Sequence, residues 1–297
     1  MNMSFIVSVI TPFYKGNKYL SQLFGVVENN CNNLKSAFPQ AMVELIIVND
    51  SPQEKVEVPD FSMGFQLKII NHEVNSGIHQ ARITGLQACS GEYIQFLDQD
   101  DVLADNAILS QIRVLASNQA DMVICNAYME SSDGSSYLLY KSKTDYSLIN
   151  KLPFYLKSHN MIKSPGQCLL RKACIPTEWE TYVMQKNGAD DLFLWILLFE
   201  KSHRFAINKE ALYIHKYTGE NLSDSEAKMS VSSLEIVEFL RQIEYVPKTH
   251  AEQLEHSRKF SLEFQECKSS PQKVWLMMKN LNLVSYLAIH KLERILF

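Results

Sequence analysis

Tyr93-Ile94-Gln95-Phe96-Leu97-Asp98-Gln99-Asp100-Asp101 is a short, largely apolar run that breaks off on three carboxylates within four positions. Aromatic and branched residues bounded by polar ones read as a buried strand that ends on acids. Two upstream stretches end in a similar way. Val43-Glu44-Leu45-Ile46-Ile47-Val48 runs into Asn49-Asp50-Ser51-Pro52, whose Asn, Asp and Pro favour a turn, and Phe5-Ile6-Val7-Ser8-Val9-Ile10 is closed by Thr11-Pro12. Leu67 to Ile70 supplies a further strand. Between these runs the apolar spacing becomes helical, from Lys18 onward through Leu20, Leu23, Phe24 and Val27, and again over His79 to Ala88. Strands alternating with helices predict an α/β fold with a mostly parallel sheet flanked by helices. Thr11, Asp50 and Asp98 then stand at the carboxyl ends of strands, where such sheets bind ligands.

Farther along, Ala107 to Leu115 reads as a helix, Met122 to Tyr128 as a strand and Asp133-Gly134-Ser135-Ser136 as a turn, whereas 137–160 carries no clear pattern. From Ser225 the spacing is helical and mostly polar until Pro271, after which Trp275 to Phe297 is strongly apolar.

A chain of 297 residues with 46% hydrophobic content buries one large core or two modest ones. Its formal net charge of −4, with no basic block interleaved with aromatics, sets nucleic acid aside as a partner. Six cysteines lie far apart without a C-x-x-C pair, which argues against a zinc knuckle or a disulfide framework and fits a reducing cytoplasm. Met1 to Ser8 has no basic start and only a short apolar run, so neither a signal peptide nor a membrane span is expected there. No G-x-G-x-x-G or Walker A loop occurs, which disfavours a dinucleotide dehydrogenase or a P-loop kinase. The single glycine of Thr11-Pro12-Phe13-Tyr14-Lys15-Gly16-Asn17 disfavours a nucleotidyltransferase built on a Gly-rich first loop.

Three segments carry chemistry. Asp98, Asp100 and Asp101 repel one another, and a cation removes that cost; oxygen ligands suit Mn²⁺ or Mg²⁺ shared with substrate phosphates. Such acids serve equally as helix caps with solvated neighbours. In Asn75-Ser76-Gly77-Ile78-His79-Gln80-Ala81-Arg82 a glycine turn leads into a helix whose N-terminus favours an anion, with Arg82 within reach of a diphosphate or in a surface ion pair. Asp190 and Asp191 open a strongly apolar helix, either complementing its dipole or working on a substrate hydroxyl.

Taken in order, these segments resemble the family 2 glycosyltransferases of GT-A fold, over roughly Ser4 to Ser223. V-S-V-I-T-P-F-Y matches the family's opening strand and P-x-Y turn, I-I-V-N-D-S its second strand, N-S-G-I-H-Q-A-R-I-T-G-L its N-x-G-x-x-x-A-R-x-x-G segment and L-D-Q-D-D its D-x-D. G-A-D-D-L-F-L-W takes the place of its E-D acidic pair. The resemblance implies a GT-A catalytic domain over 1–224, with a nucleotide-sugar half to 101 and an acceptor half over 102–224, followed by a helical region over 225–297. It places Thr11, Pro12 and Asp50 around the nucleobase, with Tyr14 of the same loop also donor-binding. Arg82 falls near base or diphosphate, Asp98 near the ribose, and Asp100 on the metal with Asp98 beside it. Asp191 becomes the catalytic base and Asp190, where Glu is common, its supporting acid.

Tyr213-Ile214-His215-Lys216-Tyr217-Thr218 resembles the family's Y-x-Y-R-x-H segment, but by register the histidine position is Thr218. His215 is then the candidate third metal ligand, or a packed histidine. The implied activity is inverting transfer of a hexosyl or N-acetylhexosaminyl group from a nucleotide-diphospho-sugar, a UDP-sugar foremost, to a saccharide or glycolipid hydroxyl in cell-surface polysaccharide or glycolipid synthesis. The alternatives are a nonenzymatic nucleotide-sugar-binding protein and a metal-dependent nucleotidyl or phosphoryl transferase. Gln167 is expected toward a sugar hydroxyl, and Trp179 and Trp195 either stack on sugars or fill the core. The apolar tail, with Lys279, Lys291 and Arg294 among its residues, either packs inward or makes peripheral membrane contact.

Overall fold

The computed structural model describes residues 4–58, 60, 62–217 and 226–296, the side chains of 226 and 294–296 excepted. Two compact units form, neither continuous in the chain. The first comprises the described residues of Met1–Leu139, Ile162–Ile175 and His203–Glu220, and the second those of Tyr140–Met161, Pro176–Ser202 and Asn221–Phe297.

The first unit is built on a sheet of β1 (Ile6–Phe13), β2 (Met42–Asn49), β3 (Gln66–Asn71), β4 (Tyr93–Phe96), β5 (Val102–Leu103), β6 (Met122–Glu130), β7 (Ser136–Leu138), β8 (Cys168–Arg171) and β9 (Phe205–Lys216). Their order is β3-β2-β1-β4-β8-β6-β9-β5, with β7 paired to β6. The four strands from β3 to β4 are parallel, as the alternation with helices predicts. Beyond them β8 runs antiparallel to both β4 and β6, and β6 and β9 are parallel again. Helices α1 (Asn17–Ala37) and α3 (Ala107–Ser117) cover one face. There Leu20, Leu23, Phe24, Val27, Ile108, Ile112 and Leu115 join Val7, Val9, Val43, Leu45 and Ile47 in one core. Each large side chain so buried contributes at most roughly 1.5–3 kcal/mol. Helix α2 (Gly77–Ala88) lies on the opposite face, where a Cβ on Gly85 would come within 2.3 Å of Ile10 Cγ2. Only glycine lets that helix approach β1 so closely.

β1 extends past its expected end at Ile10 and takes in Thr11 and Pro12. The Ile10 carbonyl accepts the Leu97 N–H on the β4 side, where β4 itself has already ended at Phe96. Pro12, two residues on, faces that same side, so its missing N–H costs no ladder bond.

The second unit is helical: α4 (Lys143–Ile149), α5 (Leu152–Lys157), α6 (Thr177–Thr181), α7 (Asp190–Glu200), α8 (Glu226–Leu240), α9 (Lys248–Glu266), α10 (Ser270–Lys279) and α11 (Leu281–Leu296). Helix α7 is buried on every side from Asp190 to Leu198, which makes it the unit's core element. The segment 137–160, patternless in sequence, holds the short helices α4 and α5, set by local devices more than by periodicity. Ser142 and Asp145 form a reciprocal capping box at α4, and Arg258 of α9 donates to the Ser158 carbonyl and, at 2.9 Å, to that of Tyr155. Among the described residues no helix is long and apolar enough to cross a membrane.

Candidate active site

The expected strand ends stand together. Because β2, β1 and β4 are adjacent and parallel, Asp50, Thr11 and Asp98 occur at one end of the sheet. Thr11 is fully buried and Tyr14 is about half exposed. Lys15, at a left-handed φ of 49°, donates its N–H to Ser51 Oγ at 2.8 Å and so ties the first loop to the turn after β2.

Asp50 takes the place an anion was expected to occupy at the start of α2. Its carboxylate accepts the N–H groups of Ser76 at 2.7 Å and Gly77 at 2.8 Å, and His72 Nδ1 lies 2.8 Å away. Ser76 offers no side-chain cap of its own, so an acid from another strand satisfies these donors and complements the dipole. Gly77, at φ 86°, makes the turn that points both amides the same way.

Arg82, nearly fully buried on α2, donates through Nη2 to Asp98 Oδ1 at 2.6 Å. Asp98 is therefore held by a charge-assisted bond from the helix that follows β3. Gln99 bonds the first loop, accepting Tyr14 N–H and donating to Tyr14 C=O, each at 3.0 Å. Asp101 is buried and anchored to β9. It accepts from the Tyr213 hydroxyl, from His215 Nδ1 at 3.1 Å and from the Lys216 N–H at 3.0 Å. Burial and the charges of Asp101 and Asp98 drive the Tyr213 pKa far up, so the phenol stays a donor. Burial pulls the His215 pKa down, but its hydrogen bond to Asp101 and the charges of Asp101, Asp98 and Asp100 more than offset this, leaving it raised.

Asp100 bears the cost of this arrangement. Burial, then the charges of Asp101 and Asp98, push its pKa up to about 7. An ionised Asp100 is thus poorly stabilised by the protein, which is the condition a divalent cation relieves. The donor set fits a hard ion held by one or two carboxylates and completed by phosphate oxygens. His215 Nδ1 is bonded to Asp101, so Nε2 is the ring nitrogen left as a ligand atom, and Thr218 to Asn221 lie outside the described residues.

In the second unit, Asp191 is fixed from two sides: Oδ2 accepts from Asn160 Nδ2 at 2.7 Å and Oδ1 from the Leu192 N–H at 2.6 Å. The Asp190 carbonyl accepts from Trp179 Nε1 at 2.9 Å. Trp179 and Trp195 are core residues, 1% and 0% exposed, and do not present a stacking face. Gln167 also departs from its expected place. It is fully buried, with Nε2 donating to the Cys125 carbonyl and Oε1 accepting the Lys163 N–H, and it braces the framework where a sugar-facing role was expected.

Sequence reasoning did not single out Gln99, Asn160 or the Asp101–Tyr213 pair. Gln99, as the middle residue of D-x-D, carried a positional hint; Asn160 and Tyr213 are distant in sequence from what they hold.

The architecture, a GT-A type α/β sheet with a helical C-terminal region, recurs in solved structures. S. aureus TarS 1-349 in complex with UDP-GlcNAc superposes with a TM-score of 0.60 at 16% identity, over 95% of this chain and 82% of that one. Mannosyltransferase PcManGT from Pyrobaculum calidifontis, in complex with GDP-Man and Mn²⁺, gives 0.56 at 12% identity, over 99% and 88%. Residues 8–175 match the family model of glycosyl transferase family 2, and the chain belongs to that family. Among curated relatives, the uncharacterized glycosyltransferase EpsJ of Bacillus subtilis is 27% identical over 206 residues, 68% of this chain and 53% of its own length. GlyG of Streptococcus pneumoniae is 32% identical over 139 residues, 46% and 44%. WfgD of Escherichia coli, a UDP-Glc:alpha-D-GlcNAc-diphosphoundecaprenol beta-1,3-glucosyltransferase, is 26% identical over 208 residues, 69% and 74%. The chain spans about half the length of EpsJ and less than half of GlyG.

Proposed function

We propose that this protein transfers a hexosyl or N-acetylhexosaminyl group from a nucleotide-diphospho-sugar, a UDP-sugar foremost, to a saccharide or glycolipid hydroxyl, with inversion, on the cytoplasmic side. The observation that carries the reading is the assembly of Asp50, the Arg82–Asp98 pair and the destabilised Asp100 at the carboxyl ends of adjacent parallel strands. The UDP-GlcNAc complex of TarS and the UDP-Glc donor in WfgD's name support the choice of donor.

In this reading Thr11, Pro12, Tyr14 and Asp50 frame the nucleobase and Asp98 meets the ribose. Arg82 meets the base or diphosphate while holding Asp98. Asp100, with Asp98 and His215 as further ligands, would hold Mn²⁺ or Mg²⁺, an ion that would supply positive charge to offset that on the departing diphosphate. Asp191 removes the acceptor proton as the hydroxyl oxygen bonds to the anomeric carbon and the bond to the diphosphate breaks. One displacement inverts that carbon and needs no enzyme nucleophile. Asn160 and the Leu192 N–H hold the Asp191 carboxylate in position, and Asp190 supports it at the helix start.

Helices α10 and α11 provide peripheral membrane contact. Their apolar residues divide: Leu276 and Leu283 are buried and Tyr286 and His290 pack on Phe154, while Val274, Trp275, Met278, Leu281, Ile289 and Leu292 are exposed. Over 268–297 the sequence has Lys268, Lys273, Lys279, Lys291 and Arg294 against a single acid, Glu293, in an otherwise acidic chain, which suits an anionic lipid surface.

A thermal-shift screen of the full chain with Mn²⁺ against nucleotide-sugars tests the reading, since a ligand stabilises by RT ln(1 + [L]/Kd). A UDP-sugar should raise Tm, and a turning-over mixture should release UDP. Release of pyrophosphate, or no shift across the panel, overturns it.

A further inference from the structure

At the opposite end of the sheet from Asp98, three segments of the first unit bring together a carboxylate, a thiol and an imidazole. Asp121 precedes β6, Cys174 ends the turn of 172–174 that follows β8, and His203 precedes β9. One ligand atom from each lies within 4.8 Å of the others, the only such trio of Asp, Glu, His and Cys groups among the described residues. Cys174 is buried, and Asp121 and His203 are half-buried.

The backbone beneath them is locked. Asp121 donates its N–H to the Arg204 carbonyl and accepts the Arg171 N–H, while the turn at Cys174 closes through Ile175 N–H to the Lys172 carbonyl. In this structure His203 Nδ1 is 3.1 Å from Asp121 Oδ2, which also accepts the Arg204 N–H at 2.9 Å.

We propose that Asp121, Cys174 and His203 form a zinc site, with water in the fourth position. Mixed sulfur, nitrogen and oxygen ligands suit a borderline-soft ion and not Mg²⁺ or Mn²⁺, which take oxygen ligands. Binding releases the thiol proton to solvent, and the ion replaces the hydrogen bond between His203 and Asp121. Its place in the chain gives it a task. Cys174 and His203 flank the excursion Pro176–Ser202, which leaves the first unit and carries Asp190 and Asp191. One ion ligated by both residues clips the two ends of that excursion to the start of β6. This site is independent of the donor site proposed above.

The test uses the full-length protein, with Zn²⁺ alone in equilibrium dialysis and Co²⁺ alone in absorption spectroscopy. One Zn²⁺ should bind per chain and raise Tm, and Co²⁺ should show a thiolate charge-transfer band. Cys174→Ser and His203→Gln should each weaken Zn²⁺ binding by more than about 100-fold, since even outer-shell partners cost 10–100-fold. Asp100→Ala should leave it intact while losing Mn²⁺-dependent nucleotide binding. No thiolate band in the wild-type protein at saturating Co²⁺ overturns the proposal without relying on any variant. Zn²⁺ binding that survives in Cys174→Ser and His203→Gln, or vanishes in Asp100→Ala, overturns it as well.

Discussion

The side-chain amide of Gln99 pairs with the backbone of Tyr14 as a neighbouring strand would, accepting its N–H and donating to its carbonyl, both at 3.0 Å. The residue between the two acids of D-x-D is thereby the clasp between the acidic loop and the first loop. A Cβ on Gly16 would collide with that amide, which explains the loop's single glycine.

Gln99→Ala removes both bonds and frees the first loop. The two exposed bonds contribute about 0.5–1.5 kcal/mol each, so nucleoside diphosphate affinity should fall by roughly 5- to 150-fold by calorimetry. Unchanged affinity would show that the clasp does not organise the donor site.

Asp50→Ala leaves two amides at the start of α2 without their acceptor. Loss of a cap costs about 0.5–2 kcal/mol, and stranding two part-buried donors adds to it, so urea unfolding should show a loss of about 1–3 kcal/mol. A loss under about 0.5 kcal/mol would sink the capping role. Asp50→Asn keeps one acceptor oxygen, and a selective drop in uridine affinity there would report the proposed nucleobase contact.

The raised pKa of Asp100 gives the metal-free protein a distinct pH profile. An acid that keeps its proton longer in the folded chain than in the unfolded one costs stability as pH rises from 3.8 to about 7. In the presence of a chelator, Asp100→Asn should therefore have the higher Tm above pH 7, with the difference shrinking toward pH 4. Mn²⁺ should stabilise wild type more than the variant. Parallel pH profiles would mean that Asp100 is not electrostatically burdened.

Asp191→Asn preserves the shape of the side chain and the Leu192 contact but cannot take a proton. Transfer should drop by about 10²-fold or more with donor affinity barely changed. Asp190→Asn should cost less turnover and more stability, through the start of α7. Near-normal transfer in Asp191→Asn with a dead Asp190→Asn reverses the two roles, and activity in both places the base elsewhere.

Trp275 and Leu281, 58% and 59% exposed, lie outside the helical core. The paired substitutions Trp275→Ser and Leu281→Ser should leave the fold intact and lower flotation with anionic vesicles by more than about tenfold, given roughly 1.5–3 kcal/mol per buried large side chain. Equal flotation of both proteins, or no flotation of the intact chain, counts against the membrane contact.

What the amino-acid sequence determined by itself was local and periodic. Apolar runs such as Val43–Val48, breaking off at turn residues, announced strands and the ends that bear Asp50 and Asp98. The 3.6-residue spacing after Lys18 and Ser225 announced helices, because each element must hide one face. Short-range motifs also placed the acid pair at the start of α7. Tertiary structure alone decided which groups satisfy one another. Asp50 caps a helix that begins 27 residues later, at Gly77, and Asp101 is held by Tyr213, 112 residues away. Gln167 turned inward for the same reason: a buried amide must find partners, and the nearest were the Cys125 carbonyl and the Lys163 N–H. The trio of Asp121, Cys174 and His203 has no sequence signature at all. Sequence spacing sets hydrogen bonding and packing only within a turn or a strand, whereas convergence of distant polar groups depends on strand order and register, which close only when the whole sheet does.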